Sequence, residues 1–115
     1  MEAAEREARI YRLPDGRTPF LEWLNDLRDG QARQRIQARI AQLRLGNFGQ
    51  TRSLGEGVHE LKVDYGPGYR IYFGRDGEAV VILLSGGGKT TQNEDIKKAK
   101  QYWARYQQEK TNADR

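Results

Sequence analysis

A chain of 115 residues, 37% hydrophobic and 31% charged, has room for one domain with one core, which excludes a multidomain machine, a collagen-like rod and a wholly disordered chain. A net charge of +4 and a pI near 9.5 suit an anionic partner without requiring one. The lack of cysteine excludes a disulfide scaffold and a thiolate zinc site. The opening M-E-A-A-E-R-E-A-R is charged, and the longest apolar run, Ala79 to Leu84, is far short of a bilayer, so the expectation is a cytoplasmic protein without a membrane partner.

Residues 1–8 are expected to be a flexible lead-in, 9–109 the folded domain and 110–115 a frayed end. Arg9 to Leu13 reads as a short strand closed by the turn Pro14-Asp15-Gly16. Thr18 as N-cap and Pro19 at the first helical position open a helix that carries Phe20, Leu21, Trp23, Leu24 and Leu27, and Asp29-Gly30 stops it. A second helix is predicted from Gln31 to Leu45, with Ala32, Ile36, Ile40 and Leu43 as its apolar stripe. Arg33, Arg35, Arg39 and Arg44 flank that stripe, either as a solvated face or as a nucleic-acid stripe.

Residues 46–57 read as a loop anchored by Phe48 and Leu54. Val58 to Phe73 is then two strand-type runs around the turn Gly66-Pro67-Gly68. Alternation sorts His59, Leu61, Val63 and Tyr65 to one face, and Val58, Glu60, Lys62 and Asp64 to the other. In the second run Tyr69, Ile71 and Phe73 oppose Arg70 and Tyr72. Pairing the apolar faces gathers Lys62, Arg70 and Tyr72 into a cationic, aromatic-lined surface. Asp76-Gly77 is a second hairpin turn, and Ala79 to Leu84 suits a strand buried on both faces. A glycine turn, Ser85 to Thr91, leads to a last helix with Thr91 and Glu94 at capping-box spacing and Ile96, Ala99, Trp103 and Tyr106 as its stripe. The expected architecture is α+β: an N-terminal strand and helical hairpin packed on an antiparallel meander, then a C-terminal helix.

Gly88-Lys89-Thr90 matches the end of a phosphate loop, but Leu83 stands where its first glycine belongs. Either the glycine turn holds a single phosphate beside Lys89, or it is a flexible connection. His59 is the only histidine, and its apolar face suits a half-buried structural residue. With one His and no Cys, no metal site is expected. Glu60 and Asp64 beside Lys62 suit surface ion pairs.

Four stretches carry a further likeness: F-L-E-W-L-N-D-L-R-D (20–29), A-R-I-A-Q-L-R-L-G-N-F-G (38–49), G-V-H-E-L-K-V-D-Y-G-P-G-Y-R-I-Y-F (57–73) and L-L-S-G-G-G-K-T-T-Q-N-E-D-I-K-K-A-K (83–100). On these residues the chain resembles the RelE/ParE toxin superfamily, in particular the HigB-like addiction module killer subgroup. The resemblance implies a RelE-like fold and a toxin neutralised by a HigA-like helix-turn-helix antitoxin. It also implies cleavage of mRNA on the ribosome by clustered basic residues, without metal or cofactor. Relatives of the ParE type instead inhibit DNA gyrase without catalysis, and an inactive relative would keep only antitoxin binding. Arg70 matches the family's strand arginine, Lys62 a strand lysine, and Lys89 or Thr90 the position of an arginine after the glycine turn. These make Arg70, Lys62 and Lys89 the expected catalytic set, with Tyr65, Tyr72, Thr90, Lys97 and Lys98 expected to bind RNA. The family's tyrosine on the last helix has no counterpart, because Asp95-Ile96 occupies that region, so the acid–base role stays open to Asp95 or His59.

Overall fold

A computed structural model describes residues 5–113. The elements run β1 (Glu7–Ile10), α1 (Pro19–Asp26), α2 (Gly30–Arg44), β2 (Thr51–Gly55), β3 (Val58–Val63), β4 (Tyr69–Asp76), β5 (Val80–Gly88) and α3 (Gln92–Ala113). The five strands form one sheet in the order β1-β5-β4-β3-β2. Consecutive hairpins make β2 to β5 antiparallel, whereas β1 lies parallel to β5, so the sheet is mixed. The molecule is an α+β domain of three layers.

Alternation along the strands explains the layering. Leu61, Val63, Ile71, Phe73, Val81 and Leu83 face one way and bury Phe20 and Leu24 of α1 and Ile36 and Leu43 of α2. Val58, Tyr72, Ile82 and Leu84 face the other way, against Ala99 and Trp103 of α3. Burying such side chains contributes about 1.5–3 kcal/mol each. The Val80–Leu84 part of β5 is therefore apolar because both of its faces are covered, as its sequence predicts.

Several boundaries differ from the sequence reading. Glu7 and Ala8, expected in the flexible lead-in, already belong to β1; residues 1–4 lie outside the described residues. Asp29 begins α2 instead of ending α1. Its carboxylate accepts from the backbone N–H groups of Gln31 and Ala32, and α1 has already stopped at Asp26. The expected loop at 46–57 contains β2, which pairs with β3 and turns back through Glu56-Gly57. That strand has little apolar patterning, because it is an edge strand whose Arg52 and Ser53 are exposed. Residues 110–113 of the expected frayed end belong to α3, and Lys110 pairs with Asp76 at the β4–β5 turn; residues 114–115 lie outside the described residues.

The glycine turn is the largest correction. Ser85 to Gly88 are the last residues of β5, in register with β4 from Tyr72 to Tyr69, and the turn shrinks to residues 89–91. These glycines serve close approach. A Cβ on Gly86 would overlap the indole of Trp23, and one on Gly87 would overlap the carboxylate of Asp95. Thr91 does not form the expected capping box; its hydroxyl donates to Asp95 Oδ2 at 2.6 Å.

Candidate nucleic-acid interface

Lys62 and Arg70 are direct cross-strand partners on β3 and β4, so both project to the α3 side of the sheet. Across β4, Arg70 faces Gly87, whose missing side chain lets the Asp95 carboxylate close over the strand. Lys89 follows the end of β5 and is exposed. These three cations line one open cavity of about 290 Å³, together with Asp64, Tyr65 and the 66–68 turn. An adjoining cavity of about 550 Å³ shares Lys62, Asp64 and Arg70 and adds Arg52, Glu60 and Gln92. The expected catalytic set therefore meets at one place.

Its members differ in character. Lys62 has half of its side chain in water, and its ammonium lies 3.5 Å from Asp64. Arg70 is only 9% exposed and forms the floor of the cavity. It is held by Glu60, which is itself 4% exposed. One oxygen of Glu60 accepts from Arg52 Nε at 2.9 Å, and the other accepts from Gln92 Nε2 at 2.9 Å. Arg70 Nε stands 3.8 Å from that second oxygen. Arg70 Nε and Nη1 are buried and donate to nothing among the described residues. Glu60 thus ties the floor arginine to the edge strand β2 and to the first residue of α3. A buried charge persists only with such partners.

The surface reading of Glu60 is accordingly corrected. Its parity was the available signal: Val58 is core, and a residue two further along the strand shares its face. Arg52 and Gln92 carried no comparable mark, since their role arises only when β2 and α3 meet over Glu60.

Of the expected RNA-binding residues, Tyr72 is misplaced. It is completely buried beneath α3, so no base can stack on it. Burial, reinforced by the nearby Glu60 and Asp95, pushes its phenol well above the ordinary tyrosine range, and its hydroxyl has no partner among the described residues. Tyr65 lines the cavity; its hydroxyl donates to Gln31 at 2.9 Å and the Arg35 guanidinium lies 5.1 Å from its ring centre. Thr90 is exposed beside Lys89. Lys97 and Lys98 are exposed on α3 and line neither cavity; Lys97 borders a separate groove with Glu56 and Gln101. His59 lies on the opposite face, stacked on Phe73 at 5.3 Å, with burial and the charge of Arg75 lowering its pKa. Asp95 sits over Gly87, bound to Thr91, at the head of α3.

No helix among the described residues is long and apolar enough to cross a membrane. No known family profile matches the chain. An uncharacterized protein of Haemophilus influenzae is 47% identical over 81 residues, spanning 70% of this chain and 82% of that protein. The chain belongs to the same family as that protein.

Proposed function

We propose that this member of that family is a ribosome-dependent mRNA endonuclease, a cytoplasmic toxin with a RelE-like fold restrained by a HigA-like helix-turn-helix antitoxin. The observation that carries the reading is the convergence of Lys62, Arg70 and Lys89 on one open cavity. The scissile phosphate sits over Arg70 and is drawn by its permanent charge; with Nε and Nη1 buried, the contact falls to Nη2. Lys89, on the rim, adds charge as the phosphorane forms.

The step balances on groups in the same wall. The ribose 2′-oxygen attacks phosphorus and gives its proton to Asp64, the carboxylate lining this cavity among the described residues. The bond from phosphorus to the 5′-oxygen breaks, and Lys62 supplies the proton that the leaving oxygen takes. The products are a 2′,3′-cyclic phosphate and a free 5′-hydroxyl. Asp64 and Lys62, 3.5 Å apart, then return to their starting charges by exchange with water.

The test is a translation extract programmed with a defined message, with mapping of the RNA ends. The expected result is cleavage leaving 2′,3′-cyclic ends, reduced about 10²–10³-fold in Arg70→Met. An intact message at inhibitory protein concentrations, with DNA double-strand breaks accumulating instead, would establish the gyrase mode and sink this reading.

A further inference from the structure

α2 contains four arginines and no acidic residue between Gly30 and Arg44. The structure divides those arginines into two pairs. Arg33 is spent on the carbonyl of Leu27, which closes the α1–α2 link. Arg44 donates to the carbonyl of Arg6 at 3.1 Å and pairs with Glu5 at 3.0 Å. Arg35 and Arg39 instead line a groove of about 260 Å³ between α2 and the sheet, closed on the other side by Gln50, Asp64 and Tyr65. Asp64 and Tyr65 are also walls of the Lys62–Arg70–Lys89 cavity, so the two depressions share a rim. The acid on that rim, Asp64, is already paired with Lys62, and Glu60, in the adjoining cavity, is paired with Arg52 and Arg70.

We infer that the Arg35–Arg39 groove is a second subsite for single-stranded RNA, which holds the backbone of nucleotides flanking the one bound over Arg70. Charge complementarity favours a polyanion over an apolar partner. A single strand is favoured over a duplex because the junction carries a planar stack, the Arg35 guanidinium over the Tyr65 ring, which an unstacked base can extend. This inference takes the identity of its polymer from the ribonuclease reading. It concerns binding remote from the scissile bond, so it can fail or survive separately.

The experiment titrates a fluorescein-labelled RNA of about 12 nucleotides, 2′-O-methylated so that it cannot be cut, and reads anisotropy across a salt series. Wild type is compared with Arg35→Ala/Arg39→Ala and with Arg12→Ala/Arg105→Ala, which removes the same charge from exposed positions that line neither the groove nor the Lys62–Arg70–Lys89 cavity. Thermal melts show that each variant folds. Arg35→Ala/Arg39→Ala is expected to weaken binding about tenfold at low salt. It should also flatten the log affinity against log salt slope by about 1.4, two phosphate contacts on a single strand. Arg12→Ala/Arg105→Ala is expected to stay within about twofold of wild type. The inference is overturned by an unchanged Arg35→Ala/Arg39→Ala, by equal losses in the two variants, or by a wild type that does not bind. It is equally overturned if poly-glutamate displaces the RNA from wild type but not from Arg35→Ala/Arg39→Ala, which reassigns the groove to an acidic protein segment. A wild type that binds through Arg35 and Arg39 yet cuts no unmodified message refutes the nuclease and leaves the subsite standing.

Discussion

Arg70 and Glu60 form a pair whose two halves should cost very different amounts to remove. The Glu60 side chain is 5% exposed and that of Arg70 11%, at a separation of 3.8 Å. Glu60→Leu leaves the Arg70 cation buried with no counter-charge, a situation that costs about 3–5 kcal/mol. Arg52 loses little in the same change, since 60% of its side chain is already in water. Arg70→Met is the opposite case. Glu60 keeps its bonds from Arg52 and Gln92, and two buried donors that have no partner among the described residues disappear. An unpaired buried donor carries a penalty of about 1–3 kcal/mol, which offsets the lost attraction. The expected change in Arg70→Met is therefore within about 1 kcal/mol of zero.

Urea unfolding followed by circular dichroism measures both. With a slope of roughly 1–2 kcal/mol per molar, Glu60→Leu should move the midpoint down by on the order of 2 M, while Arg70→Met should barely move it. An unchanged slope shows that the loss lies in native stability. The same asymmetry makes Arg70→Met a clean test of the proposed chemistry, because a loss of cleavage could not be blamed on lost fold. Should Arg70→Met prove as destabilising as Glu60→Leu, the floor arginine is a structural strut, and the account of the cavity given above is wrong.

Three further outcomes follow from the packing. Tyr72→Phe should be neutral or stabilising by up to about 1 kcal/mol and leave the proposed RNA cleavage unchanged, because the phenol is sealed beneath α3 and its hydroxyl has no partner among the described residues; a tenfold loss of that cleavage would show that Tyr72 reaches substrate. Gly86→Ala should cost about 1–3 kcal/mol in a thermal melt, because its Cβ would overlap the Trp23 ring, and Trp23→Leu in the same chain should recover part of that cost. The carboxyl pKa of Asp76 is held below its ordinary value by hydrogen bonds from Lys110 and then Tyr106. A depressed folded pKa stabilises above the unfolded value and is lost as pH falls through the folded one. Wild type should therefore lose stability below about pH 4 more steeply than Asp76→Asn, and parallel acid curves would count against the latch.

What was legible before folding follows from periodicity. Apolar spacing placed α1, α2 and α3 within a few residues, and Thr18-Pro19 marked the start of α1, although Thr18 makes no side-chain capping bond among the described residues. Two-residue alternation also put Lys62 and Arg70 on the same side of the hairpin, where the register then made them partners. β2 escaped notice because an edge strand half in water needs no apolar pattern. The run of glycines read as a turn because glycine signals both a sharp bend and a close approach. Only Trp23 and Asp95, arriving from α1 and α3, distinguish the two.

The division between the two levels has one physical cause. Local chain geometry determines which side of a strand a residue takes, so the sequence by itself put the cations of β3 and β4 together. What lies over that side is a non-local matter. α3 returns across the sheet and seals Tyr72 with Trp103 and Ala99, while its first residue, Gln92, reaches Glu60 and leaves Lys62 half in water. The tertiary structure alone thereby turned one uniform face into two regions: a dry core, and a cavity whose arginine floor is held by a buried glutamate.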